Sequence, residues 1–415
     1  MSKSVVIVGG GIVGLCTAFY LEQEGFQVTL LDQSDMSSGA SYVNAGFVSP
    51  SHLVPLASPG MVRQGLKWMF NRASPLYIKP RLEKDFLRWA RAFQKSCTAA
   101  KSAKAVQAIK DLSVKSVELY QELLTLPAFQ FHLENKGLLT LCITHKALEK
   151  EQQLQQLVQR EGLGATMLTK NQVKALEPSV SDAVLGGVHY QCDWHSTPHK
   201  VMQQLKTHLK QQGVTILPKQ AVVGFKKKGT RILAAQTATS TFEADQFVLA
   251  AGSWSRSLAA SLGLSLLLEA GKGYRIDVSR RLPITLPAIL AESKVAVTPM
   301  EHATRFAGTM ELSGINTKIR KERVEAIARA VPHYYNAVSV SEAEQAQVAC
   351  GLRPVTPDGL PYIGRTAAYD NLAIATGHAM MGWSMAPATG AIIAAILSGK
   401  KCPFSVASFH PDRSF

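Results

Sequence analysis

Apolar and polar positions fall into two textures along the chain. In the first, short β-branched runs alternate with helical stripes. Val5 to Val8 form the body of a strand, with the unbroken apolar pattern of a parallel strand covered on both faces. Three glycines follow, then a helix over about 12–24 that Gly25 stops, and a second buried strand over 28–31 ending on Asp32. That is one βαβ unit. The same texture predicts a helix over 198–212, with Pro198 in its first turn, Ser196 or Thr197 as N-cap, and Val201, Leu205 and Leu209 inward. Strands are expected over 214–217 and over 247–251, the latter ending on Gly252. Leu372 to Thr376 reads as a last strand, followed by a glycine-rich turn and a helix through 388–397 that stops at Ser398-Gly399.

Between these segments the pattern changes. After Pro50 come helices near 86–95 and 106–124, the second with Val106, Ile109, Val117 and Leu124 on one stripe. A strand over 138–143 and a polar-faced helix over 147–160 follow. From 264 to 340 the texture changes: Tyr274, Ile276 and Val278 alternate with Arg275 and Asp277, and 304–311 alternates similarly, which suggests an antiparallel sheet. The expected fold is therefore α/β, a Rossmann-type dinucleotide-binding domain with an inserted, largely antiparallel β-sheet domain. Residues 1–50, 146–263 and 345–415 are expected to form the discontinuous first domain, and 51–145 and 264–344 the second.

The 415 residues suit two packed domains, and 46% hydrophobic against 18% charged residues excludes wholesale disorder. Six scattered cysteines with no C-x-x-C pair exclude a disulfide scaffold, a zinc finger and a ferredoxin-type cluster; no metal site is expected, and a reducing cytoplasm suits the chain. Met1-Ser2-Lys3-Ser4 leads straight into a strand, unlike a secretory signal. The net charge of +15 invites nucleic acid or an anionic membrane surface as partner. The basic runs at 226–228, 280–281, 318–323 and 400–401 are scattered and lack interleaved aromatics, so they read as solvated loop charges and nucleic acid is not expected. A weak attraction to anionic lipid is retained. The stretch from Leu372 to Ser398 has no charged residue, but Gly377, Gly382, Pro387 and Gly390 interrupt it, and it reads as buried core instead of a membrane span.

The chemistry begins at Gly9-Gly10-Gly11-Ile12-Val13-Gly14, a G-x-G-x-x-G run between strand and helix. Gly9 suits the tight turn, Gly11 the approach of a pyrophosphate, and Gly14 close helix–strand packing. Asp32, at the end of the second strand, can accept ribose hydroxyls, which disfavours NADP. Ser38 to Ser41 and Asn44-Ala45-Gly46 suit a loop against an extended pyrophosphate and a flavin ring, or equally an ordinary Gly/Ser loop. From these residues alone FAD and NAD both remain open.

The chain resembles the FAD-dependent D-amino-acid dehydrogenases, within the wider family of glycine oxidase, sarcosine oxidase and D-amino-acid oxidase. The resemblance runs along essentially the whole chain. It rests on 5–14, Asn44-Ala45-Gly46 with Val48-Ser49-Pro50, Leu66-Lys67-Trp68 and Lys272-Gly273-Tyr274. It continues in Gly351-Leu352-Arg353-Pro354 with Thr356-Pro357-Asp358-Gly359, Thr376-Gly377-His378, and Ser408-Phe409 with Pro411-Asp412-Arg413. It implies non-covalent FAD, held by Gly9, Gly11, Ile12, Val13, Gly14, Asp32 and Gln33 on the first βαβ unit, and by Ser41, Asn44, Ala45 and Gly46 after it. Val222 or Val223, through its main chain, and Gly252, Gly351, Gly377, His378, Met381, Gly382 and Trp383 are expected to complete that site.

For the substrate, the resemblance gives Arg353 the carboxylate, though pairing with a buried acid such as Asp358 would equally explain it. Tyr274 either lines the pocket or is a core tyrosine. His378 is either an acid–base group or packing. Cys350 is either a covalent flavin anchor or a small buried thiol, and Lys272 either influences the flavin or sits in a surface ion pair. The implied activity is oxidative deamination of D-amino acids to 2-oxo acids and ammonia, by hydride transfer from the α-carbon to flavin N5. Electrons would pass to a quinone-type acceptor, with the enzyme cytoplasmic or peripheral on the inner membrane. An oxidase or dehydrogenase of glycine, sarcosine or a cyclic imino acid is the alternative.

Overall fold

The computed structural model describes residues 3–69 and 74–415; the side chains of 66–69, which include the Leu66-Lys67-Trp68 motif, lie outside the described residues. Strand Ser4–Val8, helix Ile12–Gln23 and strand Gln27–Leu31 form the expected βαβ unit. They belong to a six-stranded sheet in the order Thr215–Leu217, Gln27–Leu31, Ser4–Val8, Gln246–Leu249, Leu372–Thr376, Tyr362–Arg365, parallel except for the last strand. Val5, Ile7, Leu30, Val248 and Ile374 are fully buried, because helices cover one face of this sheet and a three-stranded antiparallel sheet the other. The lysines at 226–228 stand on a strand of that smaller sheet, Gly224–Lys228, instead of in a loop; they remain exposed.

Helix Gly382–Ser398 includes the predicted segment and starts six residues earlier. It is a buried helix. Among the described residues no helix is long and apolar enough to cross a membrane. Pro387 interrupts its hydrogen-bond ladder by lacking an N–H, which frees the carbonyl of Trp383. The Tyr120 hydroxyl donates to that carbonyl at 2.8 Å, and Ala388 N donates to Ser116 Oγ at 3.1 Å. Both partners lie on helix Ala99–Thr125. That helix buries Val106 and Ile109 as predicted, but Leu112, Tyr120 and Leu123 are its deepest residues, with Val117 and Leu124 at the edge of the stripe. The helix is longer than expected, and its 3.6-residue period carries the buried face off the predicted line.

The second large sheet has nine strands, mostly antiparallel, as the alternating pattern predicts. Its long central pair is Glu269–Val278 with Thr304–Leu312. The sheet also takes in Thr166–Thr169, Gly186–Tyr190 and Ala349–Val355. These three strands fall within 146–263 and 345–415 and hydrogen-bond within the second sheet. Short strands look alike in either sheet until their partners are known.

Two glycines set the closeness of the first turn. A Cβ on Gly14 would lie 1.9 Å from the Gly9 carbonyl oxygen, and one on Gly9, whose φ is 116°, 2.4 Å from the Ala250 oxygen. Gly14→Ala should therefore push helix Ile12–Gln23 off the loop and cost about 1–3 kcal/mol of stability. Thermal melting of the purified variant checks this; an unchanged midpoint would mean that the contact yields freely.

Candidate active site

A cavity of about 1080 Å³ opens at the carboxyl ends of the parallel strands and runs beneath the second sheet. Gly9 to Val13, Asp32 and Gln33 line one end of it, and Ser41, Asn44 and Ala45 the adjoining wall. The Asp32 carboxylate accepts from Gly10 N at 2.7 Å and from Ser34 N and Oγ at 2.7 and 2.6 Å, so the strand end and the glycine loop hold it in place. Ser41 Oγ accepts from Ile12 N at 2.9 Å, meeting one of the N–H groups that a helix start leaves without an intrahelical partner. The loop after it is clamped through its main chain: Arg305 donates to the Asn44 carbonyl at 2.6 Å and Thr298 Oγ1 to that of Ala45 at 2.7 Å.

The far end of the chain supplies the opposite wall, with Gly252, Gly351, His378, Met381, Gly382 and Trp383. Trp383 Nε1 donates to Ser196 Oγ at 2.9 Å, and Ser196 N donates to the Gly46 carbonyl at 2.8 Å. Thus the Asn44-Ala45-Gly46 motif and the start of the last helix are bonded through a third segment. Ala379 N donates to the Pro354 carbonyl at 2.9 Å, which ties the turn before the last helix to the strand of Arg353.

Several expected site residues lie elsewhere. Gly14 and Gly46 do not line the cavity; Gly46 is packed against the Ser196 carbonyl, 2.2 Å from where a Cβ would stand. Gly377 is likewise a packing position, pressed on Thr356. Of the two valines expected near the adenine, Val222 faces the cavity and Val223 is 64% exposed, since consecutive residues of an extended segment point opposite ways. Tyr274 is a core tyrosine: it is 1% exposed, and its hydroxyl donates to Glu311 Oε2 at 2.9 Å, away from the cavity. Lys272 shares that acid, with Nζ 3.3 Å from Glu311 Oε1 and bonds to Asn316 and the Lys318 carbonyl, so its ion pair is buried and not on the surface.

The residue between them explains the motif. A Cβ on Gly273 would overlap the Arg353 guanidinium at 2.3–2.5 Å, so only glycine leaves room for that group. Arg353 lies opposite Gly271 in the paired strand and donates from Nη1 to the Thr309 carbonyl at 2.7 Å. Thr309 itself has φ 64°, a left-handed conformation unusual for a β-branched residue. Among the described residues no carboxylate lies within ion-pair distance of Arg353. Asp358 is bonded to Arg413 at 2.8 and 3.0 Å instead. Desolvation lowers the Arg353 guanidinium to about 10, so it stays charged at neutral pH.

Sequence reasoning missed Gly273, Thr309, His52, Glu151 and Lys294, all but Gly273 dispersed outside the quoted motifs. All line the cavity. Desolvation lowers His52, with Lys294 adding to it, and raises Glu151, which Lys294 faces at 4.0 Å. Cys350 also lines the cavity, but desolvation raises its thiol, the reverse of an activated nucleophile.

The glycine loop at a helix start, the carboxylate at the next strand end and a cavity continuous from there to Arg353 fit an extended dinucleotide carrying a ring at its inner end. The family model for DAO, FAD dependent oxidoreductase, matches residues 4–396. The chain belongs to the FAD-dependent oxidoreductases of this family. Its cofactor is FAD, and it is an enzyme. Among its relatives, a D-amino acid dehydrogenase of Vibrio atlanticus is 32% identical over 406 residues, covering 95% of this chain and 96% of the relative. One of Methylobacterium radiotolerans is 33% identical over 408 residues, with the same shares. Glycine oxidase from Geobacillus kaustophilus shares the fold, with a TM-score of 0.77 at 21% identity over the full length of both chains. L-proline dehydrogenase from P. horikoshii does so at 0.73 and 18%, over 99% of this chain and 97% of that one.

His378 is buried, and its Nε2 lies 2.9 Å from Thr389 Oγ1, whose single proton goes to the Met385 carbonyl. His378 Nε2 is therefore the donor. Desolvation lowers its pKa to about 3 from an ordinary 6.5, which removes it as an acid–base group near neutrality. As pH falls, the unfolded chain takes up this proton first. Its contribution to stability is complete above about 6.5 and is lost progressively down to about 3. His378→Asn should thus lose less stability than the parent between pH 7 and pH 5 in chemical denaturation; equal losses would contradict this environment for the ring.

Proposed function

We propose that the protein oxidises D-amino acids to 2-oxo acids and ammonia, and that Arg353 receives the substrate carboxylate. The observation that carries the reading is a charged, desolvated guanidinium in the cavity wall without an acid beside it. Arg81, Arg256, Arg305, Arg323 and Arg413 are each within ion-pair distance of a carboxylate; Arg353 is not. A planar guanidinium in that state is complementary to a carboxylate brought by a ligand. The names of the bacterial relatives support the D-amino acid as substrate.

In this reading Gly9, Gly11, Ile12, Val13, Asp32, Gln33, Ser41, Asn44 and Ala45 hold the nucleotide, and Gly252, Gly351, Met381, Gly382 and Trp383 the ring. Bound FAD supplies the two-electron acceptor for the α-hydrogen. The chain's own task is orientation. The Thr309 carbonyl fixes one edge of the guanidinium, Gly273 leaves it room, and Pro354 stiffens the strand. His378, buried and neutral, would take no proton from carbon, which suits loss of the α-hydrogen as hydride from a neutral amine to the bound flavin. A quinone-type acceptor fits the dehydrogenase relatives, and the +15 charge supports contact with an anionic membrane surface on the cytoplasmic side.

Anaerobic visible spectra with D-alanine, D-proline and their L-forms test the function: the flavin band should bleach with D-forms alone. Bleaching by L-forms, or only by glycine or sarcosine, would overturn it. Arg353→Lys should keep the oxidised flavin spectrum while kcat/KM falls about a hundredfold or more, because a point ammonium cannot replace a bidentate contact. A fall below tenfold would remove the carboxylate role. Reduction of a quinone or dye should outpace oxygen consumption in the same preparation.

A further inference from the structure

Away from the cavity, a small sheet pairs strand Trp194–Ser196 with Phe47–Val48 on one side and Leu133–Glu134 on the other. Glu134 stands directly opposite His195 in the antiparallel register, and His132 precedes Glu134 by two residues. Strand alternation therefore puts all three side chains on one face. His132 Nε2 lies 3.3 Å from Glu134 Oε1, and His195 Nε2 3.8 Å from Glu134 Oε2. One ligand atom from each residue lies within 4.8 Å of the others. Ligands at a tetrahedral zinc stand about 3.3 Å apart, given bonds of about 2.0–2.1 Å, so a small contraction closes the set.

The surroundings are those of ligands. Thr197 Oγ1 meets His132 Nδ1 at 3.2 Å, which fixes the ring with Nε2 toward the cluster. His195 is 1% exposed, and its Nδ1 has no hydrogen-bond partner among the described residues. Its Nε2 faces Glu134 from beyond hydrogen-bond distance. A buried ring nitrogen that faces a carboxylate from beyond hydrogen-bond distance is costly unless something else binds it, and Nε2 is the atom so placed. Lys136 Nζ lies 2.5 Å from Glu134 Oε2, where a cation is attracted, and its half-exposed side chain is free to swing away.

We propose that His132, Glu134 and His195 bind one divalent transition-metal ion of the zinc class, with a fourth position open to water. Two imidazoles and one carboxylate suit that ion, and the partly exposed His132 and Glu134 give it a way in. The ion would brace the cavity from behind. It would join two strands of the sheet whose Ser196 bonds both the Gly46 carbonyl and the Trp383 indole.

The test is isothermal titration of the chelator-treated, flavin-loaded protein with Zn²⁺. One saturable site is expected, weakened about a hundredfold in Glu134→Gln and in His132→Gln and tightened severalfold in Lys136→Ala. The visible flavin band serves as the check that each variant is folded. His195→Gln should abolish the site, and the two more exposed positions carry the test if that variant does not fold. Absence of a saturable site in the parent, or affinities unchanged in both Glu134→Gln and His132→Gln, would overturn the proposal, as would weaker binding in Lys136→Ala.

Discussion

The approach of two helices, one at each end of the chain, governs where everything in the cavity stands. Helix Gly382–Ser398 passes so near helix Ile12–Gln23 that a Cβ on Gly390 would lie 2.6 Å from the backbone of Cys16. This contact brings the turn before the last helix over the first glycine loop, although the two are more than 360 residues apart in sequence. Pro387 then opens the last helix at the carbonyl of Trp383, and Tyr120 fills the gap from a third helix. A broader residue at Gly14 or Gly390 would separate elements that no other bond would bring back to the same distance.

Charge is matched almost everywhere around this frame. Glu311 shows how: Tyr274 and Ser313 donate to it, Lys272 and Arg320 lie at 3.3 and 3.1 Å, and all of this sits under the second sheet. Desolvation opposes its ionisation, but those hydrogen bonds and cations hold it below the ordinary carboxylate range. The cluster fixes Lys272 and Tyr274 on either side of Gly273, and Gly273 is where the Arg353 guanidinium rests. A buried ion pair of this kind adds little net stability, since desolvation offsets its attraction. Its effect is positional.

This division explains how much was legible in the sequence. The βαβ unit could be read because its signals are local: a β-branched run, glycines at fixed spacing and an acid at the next strand end. The antiparallel texture of 264–340 could be read for the same reason, since alternation has period two. Sheet membership could not. Thr166–Thr169 and Gly186–Tyr190 look like any short strands, and only partners far away in sequence assign them. Tyr274 was ambiguous because alternation says which face a residue takes but not what lies on that face. Thr309 was invisible because nothing in a threonine announces a left-handed backbone, and His132 and His195 because 63 residues separate them.

Arg353 and the glycine loop belong to different sheets, which matters for the carboxylate role proposed for Arg353. Oxidation by transfer from an α-carbon needs the carbon held against the ring within a fraction of an ångström. Two sheets that rocked independently could not do that. They are joined where it matters: Val355 bridges to His378, Ala379 N bonds the Pro354 carbonyl, and Ser253 Oγ bonds the Leu352 carbonyl at 3.2 Å. Each of these bonds ends on a residue within two positions of Arg353. The segment carrying the arginine is thus bonded, almost residue by residue, to the turns that follow strands Gln246–Leu249 and Leu372–Thr376, which are neighbours in the first sheet. His378 sits in this seam, neutral and bonded to Thr389, and the seam explains its placement better than proton transfer does: it is the side chain around which the join is packed.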